Sequence, residues 1–127
     1  MIPAFRTTAC CLHFGISAVC ATLAAAPAAI AAEPDRIDVG RAIAHDWYKG
    51  NCLACHQIPG DTTAQTLANI GPPIVGMRER FPDRAELRAQ LWDPTLRNPL
   101  SYMPPYGKHG ILTDEEIDLV IDYIYQY

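Results

Sequence analysis

The 127-residue sequence predicts an all-α fold. Three stretches repeat apolar residues at helical spacing, no segment alternates as a strand would, and glycine-proline loops fill the remainder. The first stretch, residues 37–49, has Ile37, Ala44, Trp47 and Tyr48 as its expected buried positions. Asp35 or Asp38 could cap it, and Gly50-Asn51 closes it. Gly40 within that helix costs about 1 kcal/mol relative to alanine, which points to close approach by another helix.

Residues 57–80 read as loop, through Pro59-Gly60-Asp61-Thr62-Thr63 and then Gly71-Pro72-Pro73. A second helix is expected over 83–92, opened by an Asp83-x-x-Glu86 capping box with Leu87 and Leu91 facing inward. Asp93-Pro94 ends it, and Asn98-Pro99 and Met103-Pro104-Pro105 force another extended loop. The last helix begins at Thr113 with Glu116 as capping partner. Its Ile117, Val120, Ile121 and Ile124 recur at i, i+3, i+4 and i+7, an amphipathic stripe.

The first 32 residues read as a cleaved secretory signal peptide, leaving a single domain over 33–127. Arg6 is the one charge there, residues 9–31 are Ala-rich, and Ala29-Ile30-Ala31 gives a small-x-small cleavage pattern ahead of Glu33. A membrane anchor fits less well, because alanine is a weak membrane residue and Pro27 interrupts the run. Lipid attachment at Cys20 is disfavoured by the bulky Val19 before it. Cleavage near Ala31 or Ala32 implies a periplasmic protein with no membrane span after processing, and moves the net charge from −4 to −5. With no basic stripe, nucleic acid is not an expected partner.

Cleavage also removes Cys10, Cys11 and Cys20, so the mature chain keeps only Cys52 and Cys55. These stand in Cys52-Leu53-Ala54-Cys55-His56, a C-x-x-C-H pentad, which is the attachment pattern of a c-type haem. Each thiol can add across one haem vinyl group, and the adjacent imidazole becomes the proximal iron ligand. A redox CxxC pair or half a zinc site would use the same cysteines, but zinc needs two more nearby ligands and only His109 follows. A haem taking both thiols leaves no disulfide for a domain of about 95 residues, so the porphyrin is expected to serve as part of the core.

Four side chains could reach the second axial position: Met77, Met103, His45 and His109. Met103 is best placed, since a proline-rigid extended loop can present a thioether without competing helical hydrogen bonds. Met77 is expected to pack, His45 to lie at the surface of the first helix, and His109 to be solvated in a polar turn. A thioether favours ferrous iron and raises the potential relative to two histidines. The Pro72 carbonyl is the natural acceptor for the second N–H of His56. Paired carboxylates such as Asp114, Glu115 and Glu116 suit a helix N-terminus, so no catalytic residue is assigned.

The order helix, CxxCH, Gly-Pro loop, helix, Met loop, helix resembles class I cytochrome c. More narrowly, residues from about 38 onward resemble the SoxX family, the small haem subunits of the bacterial sulfur-oxidising SoxAX complex. The blocks that carry this are Ala68-Asn69-Ile70-Gly71-Pro72-Pro73, Arg80-Phe81-Pro82-Asp83, Leu91-Trp92-Asp93 and Met103-Pro104-Pro105-Tyr106-Gly107-Lys108-His109-Gly110. Tyr106 stands where that family is expected to carry Phe, a difference expected to affect packing only.

The resemblance implies one covalently attached haem c, anchored by Cys52 and Cys55 and ligated by His56 and Met103. It implies a SoxA-like haem subunit as heterodimer partner, the SoxYZ carrier reached through the complex, and a soluble cytochrome c as electron acceptor. SoxAX joins thiosulfate oxidatively to a cysteine of SoxYZ, an L-cysteine S-thiosulfotransferase activity. This chain would carry electrons within that enzyme and have no catalytic centre of its own. A free-standing monohaem shuttle is the alternative.

Overall fold

The computed structural model describes residues 35–127, which hold four α-helices and, among those residues, no strand. Residues 1–34, on which the signal-peptide expectation and Cys10, Cys11 and Cys20 fall, lie outside the described residues. Helix α1 runs Arg36–His45, α2 Met77–Arg80, α3 Arg84–Trp92 and α4 Asp114–Ile124, with 3₁₀ turns at Cys52–Ala54 and Pro94–Leu96. Helices α1 and α3 both pack on α4. No helix among the described residues is long and apolar enough to cross a membrane.

The crossing of α1 and α4 explains Gly40. A Cβ there would overlap the carbonyl oxygen of Leu119 and stand 3.1 Å from Tyr123 Cβ. Only glycine lets the two backbones come this close. Helix α4 supplies more buried core residues than any other helix described, with Ile117, Val120, Ile121 and Ile124 all buried in the predicted stripe. Its start is the predicted capping box: Glu116 N–H donates to Thr113 Oγ1, and Thr113 N–H to Glu116 Oε2.

Several expectations are corrected. Helix α1 stops at His45 rather than 49, because the Asp46 side chain accepts the Tyr48 N–H at 2.8 Å and turns the chain. Trp47 and Tyr48 ride outward on that turn, 84% and 97% exposed, and are not buried. Residues 77–80, read as loop, form one helical turn. Left-handed Gly76 opens it, and the Tyr127 carbonyl accepts from Met77 N–H at 2.8 Å. Asp83 caps α3 through Ala85 N–H, but Glu86 pairs with Arg97 instead of closing a capping box.

His45 is not a solvated surface residue. It is half-buried, with Nε2 3.1 Å from Tyr123 Oη. The Tyr123 hydroxyl donates to Asp61 Oδ2 at 2.5 Å, so the His45 N–H donates to Tyr123 Oη. Asp61 Oδ1 also accepts from Thr63 N–H and Oγ1, and Arg41 Nε lies 3.5 Å from Oδ2. Burial alone would raise the Asp61 carboxyl; these donors and the guanidinium hold it well below the usual carboxylate range. The cluster fastens the 59–63 loop to α1 and α4.

Candidate haem site

The pentad begins just past α1. Gly50 N–H bonds the Ile43 carbonyl at 3.1 Å and Asn51 N–H the Asp46 carbonyl at 2.9 Å. Asn51 then adopts a left-handed conformation, with φ 45°, which turns the chain into the 3₁₀ turn at Cys52. His56 N–H returns to the Cys52 carbonyl at 2.9 Å, so one backbone turn carries both thiols and the imidazole.

The 71–74 segment is bound to this turn at two points. Gly71 N–H donates to the Cys55 carbonyl and Ile74 N–H to the Gln57 carbonyl, each at 2.8 Å. Pro72 lies between them, and its carbonyl oxygen is 2.6 Å from His56 Nδ1. A carbonyl can only accept, so the neutral ring carries its proton on Nδ1 and keeps a lone pair on Nε2. That is the tautomer a metal-ligating histidine needs.

Cys52, Cys55, His56, Pro72 and Met103 all line one cavity of about 420 Å³, within the range of roughly 300–1,000 Å³ usual for cofactor sites. Its wall is mostly apolar, with Ile74, Leu87, Leu91, Leu112, Val120 and Ile124 among the contributors. Against this wall burial pushes the Cys52 thiol up to about 12. Met77 is buried and also lines the cavity, whereas His109 is exposed and does not.

The lining fits a porphyrin. Among the described residues Arg80 and Arg97 are its only permanently charged groups, both with guanidinium carbons over the Phe81 ring at 5.9 and 5.5 Å. Two cations on an apolar wall match the two carboxylates of a haem. Arg80 also donates to the Pro73 carbonyl at 2.9 Å, next to the carbonyl that orients His56. Among the described residues no cluster of three or more His, Cys, Asp or Glu side chains could cage a bare ion. One imidazole and one thioether suit an iron whose other donors come from a macrocycle.

Residues 40–124 match the family described as cytochrome c oxidase, cbb3-type, subunit III. The chain belongs to this family of c-type cytochromes. A c-type cytochrome domain carries covalently bound haem c and serves electron transfer. An uncharacterized lipoprotein of Aquifex aeolicus (strain VF5) is 36% identical over 77 residues, covering 61% of this chain and 36% of that protein. The chain thus spans about a third of the length of the curated relative it matches.

Sequence reasoning gave no role in this site to Arg80 or to four further residues. Gly71 lies against the His56 ring, Gln90 Nε2 is 3.9 Å from Met103 Sδ, and Arg97 faces the cavity. The fourth is Tyr106, whose departure from Phe is not a matter of packing alone. Its hydroxyl donates to the Gly50 carbonyl at 2.6 Å. Burial raises its pKa, so it stays a phenol donor. The signal for Gly71 was its place in the Gly-Pro-Pro run; the other three carry no local pattern.

Proposed function

We propose that this chain is an exported monohaem electron carrier, with Cys52 and Cys55 as thioether anchors and His56 and Met103 as axial ligands. One observation carries the reading: a single apolar cavity collects both thiols, the oriented imidazole and the Met103 thioether. The bound haem iron would take up and release one electron at a time. The chain's own part is to orient His56 through Pro72, hold Met103 on its proline-bounded loop and keep water from the apolar wall. The lipoprotein naming of the Aquifex relative supports export.

The finer role is the small haem subunit of a SoxAX-type complex, passing electrons from thiosulfate–cysteine coupling on SoxYZ to a soluble cytochrome c. Its support is the run of sequence blocks from Ala68 to Gly110. No catalytic centre is assigned to this chain.

The test is made on holoprotein purified from its host. Ferric wild type should show the methionine–iron charge-transfer band, and Met103→Ala should lose it and bind carbon monoxide when reduced. Immediate carbon monoxide binding by reduced wild type counts against Met103. Co-purification with a larger haem subunit supports the complex; a clean monomer leaves the free-standing shuttle.

A further inference from the structure

Tyr106 is one of the buried residues of the cavity wall, and its backbone is fixed on both sides. Its N–H donates to the Leu91 carbonyl at the end of α3, and its carbonyl accepts from Ile111 and Leu112 N–H. The next residue, Gly107, is pressed on Trp92, where a Cβ would stand 2.7 Å from ring atom Cζ3. Met103 lies three positions earlier on the same loop. The phenol therefore projects from a rigid base close to the proposed axial ligand.

Its acceptor is equally fixed. Gly50 is buried, its N–H is held by the Ile43 carbonyl, and a Cβ would stand 2.6 Å from that same oxygen. Gly50 is two residues before Cys52, separated only by left-handed Asn51. The Tyr106–Gly50 bond thus crosses 56 residues of sequence and joins the two segments that would bring a ligand to each face of the iron.

We propose that the Tyr106 hydroxyl is a positioning group that ties the Met103 loop to the Cys52–His56 turn and so resists displacement of Met103 by outside ligands. This rests on His56 and Met103 being the axial pair. Displacing Met103 requires its loop to move outward. That movement pulls on a hydrogen bond whose acceptor is buried and has no other partner among the described residues. Loss of such a bond shifts the opening equilibrium by about tenfold.

The test uses Tyr106→Phe holoprotein, which keeps the ring and removes only the hydroxyl. Imidazole is titrated into ferric protein while the methionine–iron band is followed. The variant is expected to keep that band without imidazole and to bind imidazole about tenfold more tightly than wild type. Equal imidazole affinity overturns the proposal, the more plainly if the denaturation midpoint falls, since the bond would then serve stability alone. Tyr123→Phe, which removes a buried hydroxyl outside the cavity lining and leaves the Tyr106–Gly50 bond intact, should not reproduce the change if the bond is responsible; an equal gain in affinity overturns the specific role. A wild type without the methionine band overturns the axial assignment itself, and the strap with it.

Discussion

Gly71 and His56 are packed so closely that a Cβ on Gly71 would stand 2.7 Å from both nitrogens of the imidazole ring. The same glycine donates its N–H to the Cys55 carbonyl, so the loop cannot retreat without breaking that bond. Pro72 then directs its carbonyl at His56 Nδ1. Glycine is thus required here for space beside the ring, with its φ outside the left-handed region.

Gly71→Ala is accordingly expected to push the ring off the Pro72 carbonyl or the loop off Cys55. Overpacking of this kind costs about 1–3 kcal/mol. Chemical denaturation of the holoprotein should show that loss together with a changed reduction potential. Wild-type values for both would mean that the ring has room to move.

Arg97 should act on the haem through charge. It faces the cavity over Phe81 and is partly offset by Glu86 at 3.3 Å. A cation beside the site favours the reduced form, which carries one positive charge fewer. Arg97→Gln should lower the potential by about 20–40 mV at low ionic strength, and by less in high salt. A potential that does not move in low salt would place the guanidinium away from the haem.

Acid should weaken the fold through Asp61. Its folded-state carboxyl titrates below the unfolded value of about 3.9, so the anion's contribution is complete above that pH and is lost as pH falls through the folded value. His45, lowered by burial, acts in the same direction at higher pH, since protonation below about 6.5 favours the unfolded chain. Asp61→Asn should cost about 2 kcal/mol at neutral pH, because Tyr123 and Arg41 lose their anionic partner. Thermal unfolding against pH should then show a flatter acid limb. An equally steep limb would assign acid sensitivity to other groups.

Without haem the domain should fold poorly. Among the described residues the only thiols, Cys52 and Cys55, are free and form no staple, and a cavity of about 420 Å³ would be left in the apolar wall. Interiors do not tolerate voids of that size without collapse. A Cys52→Ala, Cys55→Ala double variant lacking haem should show weakened circular dichroism and no cooperative unfolding. A near-native spectrum would refute this.

Legibility followed the range of the interactions. The α4 stripe and its capping box are set within a few residues, and the structure carries both. The short reach of the Asp46 side chain is also local, yet it was outcompeted in the reading by the helical spacing of Trp47 and Tyr48. Helical turn 77–80 escaped notice because its first N–H is satisfied by Tyr127, fifty residues away. Glu86 matched a capping pattern, but the cation that takes it, Arg97, lies on the far side of a turn.

The spacing Cys52-x-x-Cys55-His56 is local in the chain, so the sequence by itself determined that two thiols and an imidazole stand together on one turn, the pattern a c-type haem uses. Periodicity likewise determined the all-α class, and Gly40 announced a close helix crossing before its partner was known. The tertiary structure decided which distant groups serve that site: the closure of two loops brings Tyr106 to Gly50 and two guanidiniums to one apolar wall. Such contacts depend on how the chain closes across tens of residues, and closure leaves no periodic mark in the residues that it joins.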